Sequence, residues 1–86
     1  MSDPNSIIFI ISRLHVSLKV DIMPNRLVSI TPYRCSEKNM RLWKGIAQAQ
    51  ATQAQFTLDS DKKALPQQAL HSHFTRKGWT VEESEN

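Results

Sequence analysis

From Leu14 the chain alternates: Leu14, Val16, Leu18, Val20 and Ile22 are apolar, and Arg13, His15, Ser17, Lys19 and Asp21 between them are polar. A period of two sends the two sets to opposite faces of a strand, so this segment is predicted to be β with one face buried. Upstream, Ile7, Ile8, Phe9, Ile10 and Ile11 are apolar without alternation. Such a run needs cover on both faces, either inside the fold or as an edge strand that pairs with another chain. No glycine, proline or asparagine divides the two stretches, which read as one long strand bent at Ser12-Arg13.

Pro24-Asn25 is turn chemistry, because proline presets φ and asparagine tolerates the left-handed region. The segment after it offers Val28 and Ile30 as strand apolars, so a hairpin is expected. A loop of Pro24 to Arg26 pairs Val28 with Ile22 and Ile30 with Val20, apolar against apolar, whereas a loop one residue shorter sets them against Asp21 and Lys19.

Ser36 is a suitable N-cap and Glu37 suits the first turn, so a helix is predicted from about Glu37 to Ala49. At about 100° per residue it gathers Met40, Leu42, Trp43, Ile46 and Ala47 on one side and Lys38, Arg41 and Lys44 on the other. Gln50 would fall inside the apolar face, and beyond it Ala54, Phe56 and Leu58 alternate with Gln53, Gln55 and Thr57. A change of period to a strand at Thr52 to Leu58 is therefore expected. Pro66 suits the first turn of a second helix, and Gly78 suits its left-handed cap, with Phe74 and Trp79 in the positions that touch across a Schellman motif. Trp79-Thr80-Val81 starts a last short strand.

These elements compose an α+β fold, a two-layer sandwich in the order ββαβαβ with both helices on one face of the sheet. The chain of 86 residues has room for one small domain, residues 1–86, with solvated tails at about 1–6 and 83–86.

Composition adds a setting. Cys35 is the only cysteine, so no internal disulfide forms, and a reducing, cytoplasmic location is expected. Asp3 and the brevity of the apolar run argue against a secretory leader, and no stretch is long enough to span a membrane. The net charge of +3 is unevenly spread, because Arg13, Lys19, Arg26, Arg34, Lys38, Arg41 and Lys44 face only Asp21 and Glu37 in the same region.

Candidate chemistry narrows quickly. In "LHSHFTRKGW", His71 and His73 point about 200° apart on a helix, so they do not share a metal ion, and Arg76 and Lys77 are explained as last-turn partners of the helix dipole. Cys35 precedes a helix but lacks a base beside it in sequence, the carboxylates are scattered, and two glycines cannot build a phosphate loop. Trp43 and Trp79 read as core anchors. No catalytic residue, cofactor or metal site is expected.

What remains is a surface. Arg26, Arg34, Lys38, Arg41 and Lys44 are the expected partner-binding residues of a small non-enzymatic protein, regulatory, inhibitory or accessory, that occupies an acidic protein surface through the basic helix and the hairpin. The alternative is nucleic-acid binding, with the same cations on phosphates and Arg26 at the hairpin tip entering a groove. Ile7 to Ile11, as an edge, would also offer a route to a homo-oligomer.

Overall fold

The computed structural model describes residues 6–83, so the expected tails fall outside it apart from Ser6 and Glu83. The elements are β1 (Ile7–Arg13), β2 (Val16–Ile22), β3 (Val28–Arg34), α1 (Glu37–Ser60), α2 (Pro66–Arg76) and β4 (Thr80–Glu83). The sheet runs β3-β2-β1-β4 with every pair antiparallel. The fold is α+β in two layers, with the helices on one face of the sheet.

The long strand expected from Ile7 to Ile22 is instead a hairpin, turning at Leu14-His15 and pairing Arg13 with Val16 and Ile11 with Leu18. Leu14 adopts φ 54 at the first central position, where such a turn normally takes glycine. The turn changes the parity of the inward residues, from Phe9 and Ile11 to Val16, Leu18, Val20 and Ile22. That change is masked in the sequence because Ile8 and Ile10 are apolar too. Nor is β1 an edge, since Phe9 to Ser12 also pair with β4, and the edge route to a homo-oligomer through Ile7 to Ile11 is lost.

The second hairpin has the expected register, Ile22 opposite Val28 and Val20 opposite Ile30. Arg26 N–H donates to the Met23 carbonyl at 2.9 Å, and Arg26 then takes the left-handed position with φ 68. Pro32 lies on β3, an edge strand, where its missing N–H breaks no inner ladder.

Helix α1 does not stop near Ala49. It continues without interruption to Ser60, so the segment Thr52 to Leu58 is helical and the expected inner strand does not exist. The apolar stripe steps from Trp43 through Ala47, Ala51 and Ala54 to Leu58, a helical spacing that the small alanines keep close to the sheet. Phe56, which lent the segment its apparent alternation, is 75% exposed, and Leu42, expected on the buried side, is 61% exposed. With no strand between them, α1 and α2 are sequential neighbours, and the crossover argument has no parallel strand pair to act on.

Helix α2 ends as expected. Trp79 N–H donates to the Phe74 carbonyl at 3.0 Å and Gly78 N–H to the Thr75 carbonyl at 3.1 Å, a Schellman cap around Gly78 at φ 94. Phe74 and Trp79 both enter the core, which unites Phe9, Ile11, Leu18, Val20 and Ile22 of the sheet with Leu58 and Leu70 of the helices. Burying each such side chain stabilises the fold by about 1.5–3 kcal/mol. The opposite face of the sheet carries Ile8, Ile10, Lys19 and Asp21, half-buried, beside exposed Ser29 and Thr31.

Candidate functional site

The cationic side of α1 is built as the periodicity requires. Lys38, Arg41 and Lys44 are all exposed, three residues apart in the first turns of the helix, and Arg34 is exposed at the end of β3 just before it. The Arg34 guanidinium lies 5.7 Å from the Tyr33 ring, a cation–π contact that steadies it without neutralising it. Among the described residues none of Lys38, Arg41 and Lys44 is held by a hydrogen bond or an ion pair. Lys38 sits in the first turn, where the positive partial charge of the helix N-terminus disfavours a cation, and Arg41 and Lys44 lie beyond the reach of that effect. Three cations left unneutralised on the exposed side of α1 hold open an attraction for anions.

Arg26 does not join this cluster. Its guanidinium reaches across to the far end of α1 and donates to three carbonyls, those of Leu58 at 3.0 Å, Asp61 at 3.1 Å and Ala64 at 3.1 Å. The last turn of α1 contains no basic residue, so Arg26 supplies the cation that its C-terminal carbonyls lack. Gln55 completes the bracket, accepting from Val28 N–H at 2.8 Å and donating to the Arg26 carbonyl at 3.0 Å. Arg26 is thus an internal strut rather than a hairpin tip free to enter a groove.

The same end of the molecule that presents the cations also holds a groove, which sequence reasoning did not find. It lies between the β1–β2 turn and the first half of α1, has a volume of about 650 Å³, and is lined by Trp43, Ile46, Val16 and Trp79 with Arg13, His15 and Gln50. Arg13 closes one wall, its guanidinium 5.8 Å from the Trp79 ring centroid. The two indoles are far apart in the sequence and converge only because the Schellman cap returns the chain at Trp79 while α1 brings up Trp43. A basic residue at the end of β1 followed by an apolar turn was the available sign.

The remaining candidates are absorbed by the fold. His73 is buried and shares a hydrogen bond with the Thr57 hydroxyl at 3.2 Å, while its Nε2 has no partner. Burial, and then the charges of Lys77 and Arg76, hold its pKa below the usual histidine value. His71 is exposed on the other side of α2. The Cys35 thiol donates to the Ser36 carbonyl at 3.4 Å. Among the described residues no cluster of His, Cys, Asp or Glu is placed to hold a metal ion, and no helix is long and apolar enough to cross a membrane. No protein-family model matches the chain, and no curated protein or solved structure is significantly similar to it.

Proposed function

We propose that this chain is a small non-enzymatic interaction protein, regulatory, inhibitory or accessory, that docks on an acidic protein surface through Arg34, Lys38, Arg41 and Lys44. The observation that supports this most directly is the exposure of three cations on the first turns of α1 that no other described residue pairs. Arg26 is left out of the docking set because its guanidinium is committed to α1. A cytoplasmic setting, argued from the lone thiol, belongs to this proposal as well.

The test is co-purification from native lysate with and without nuclease, using the intact chain and a Lys38→Ala, Arg41→Ala, Lys44→Ala variant. The reading expects one stoichiometric protein that survives nuclease, is lost from the variant, and dissociates as salt screens the attraction over a Debye length of about 10 Å at 0.1 M. A nucleic acid that the variant no longer retains would transfer the same cations to phosphate binding. A partner held equally by the variant would remove the basic face from the account.

A further inference from the structure

We infer that the groove between Trp43 and Trp79 is a binding site for a small aromatic carboxylate. Its volume of about 650 Å³ lies inside the range of roughly 300–1,000 Å³ typical of small-ligand pockets. The walls specify the chemistry. Trp43 and Ile46 offer apolar surface for a ring, and among the described residues no carboxylate lines the groove.

The charged side chain at the wall is Arg13, held in place by its stacking on Trp79, with His15 beside it. A guanidinium fixed in this way presents a preorganised fork to a carboxylate.

A further feature of the mouth points the same way. Leu14 stands 95% exposed at φ 54, a conformation disfavoured for leucine, on a turn whose geometry glycine would meet without strain. Its side chain is among those that line the groove.

The experiment follows the two indole N–H signals in proton–nitrogen correlation spectra of the full chain, since its two tryptophans both line the groove. The probe is para-coumarate, compared with its neutral amide. Both indole signals shift saturably with para-coumarate, and the amide binds roughly tenfold more weakly because it loses the charge-assisted contact. Arg13→Gln reduces acid binding to the level of the amide. The Lys38→Ala, Arg41→Ala, Lys44→Ala variant binds the probe as the parent does, so failure of the helix-face reading leaves this one standing.

The inference is overturned if neither indole responds saturably at about 1 mM probe. It is equally overturned if acid and amide bind alike, or if Arg13→Gln is without effect in a variant whose spectrum remains dispersed. A groove that ignores the probe but shifts on adding an acidic protein partner belongs to that interface instead.

Discussion

Arg26 Nη2 donates to the Leu58 carbonyl at 3.0 Å, so a residue from the second hairpin caps a helix that ends more than thirty positions later in the chain. The same residue holds φ 68, a conformation costing about 1–2 kcal/mol outside glycine. Its side chain repays in the helix cap what its backbone loses in the turn.

Two substitutions separate these contributions. Arg26→Ala keeps the strained backbone and loses the charge-assisted hydrogen bonds, and is expected to destabilise by about 2–3 kcal/mol. Arg26→Gly loses the same bonds but relaxes φ, and is expected to be about 1 kcal/mol less damaging than alanine. Urea unfolding monitored by circular dichroism measures both.

Continuity of α1 is tested at Ala49, which is exposed and lies where the sequence alone would end the helix. Proline within a helix costs about 3 kcal/mol or more and glycine about 1 kcal/mol, whereas either is mild at a terminus. Ala49→Pro is therefore expected to be severely destabilising and Ala49→Gly moderately so, with a matching loss of ellipticity for the proline variant.

Two turn positions are expected to respond with opposite signs. A Cβ at Gly78 meets only the Arg13 guanidinium at 4.0 Å, an ordinary contact, so Gly78→Ala costs the left-handed penalty of about 1–2 kcal/mol. Leu14→Gly releases a penalty of that size against an added unfolded-state entropy of about 0.4–1 kcal/mol, and should stabilise slightly. Thermal or denaturant unfolding of the two variants checks the contrast.

His73 makes stability depend on pH. Burial lowers its pKa first, with Lys77 and then Arg76 adding to the effect, so the folded chain favours the neutral ring. Above the ordinary histidine value of 6.5 the ring is neutral in both states and its contribution to stability is complete. As pH falls from 6.5 toward the lowered folded value the unfolded chain binds the proton first, and stability declines across that window. His73→Gln, which can still bond Thr57, is expected to flatten the slope; an unchanged slope in unfolding titrations would exclude His73 as its source.

Much of the fold was legible in the sequence where one residue type satisfied one requirement. Gly78 marked its cap because a left-handed position admits little else, and Val28 and Ile30 set their register because the alternative buried nothing apolar against them. One failure came where a pattern fitted two periods, the other where a turn carried no turn residues. Ala54, Phe56 and Leu58 satisfy a period of two, yet Ala47, Ala51, Ala54 and Leu58 satisfy a helix, and only the presence of the sheet beneath decides between them. The Leu14-His15 turn has no glycine, proline or asparagine, so its left-handed strain leaves no mark in the sequence. Of the candidate surface, Lys38, Arg41 and Lys44 were readable from local spacing. The role of Arg26 was not, because hydrogen bonds spanning such distance along the chain leave no local trace.

The placement of β4 beside β1 has a kinetic side. Phe9 joins Glu83 in the sheet, so the largest loop in the described chain closes last, and closure entropy grows with loop length. A ribosome delivering this protein releases β1 early and its second neighbour only at the end of the described chain. The nascent chain therefore carries Phe9 to Ser12 with one side of the backbone unsatisfied until β4 emerges, which makes the arrival of four residues the step that covers this template for aggregation.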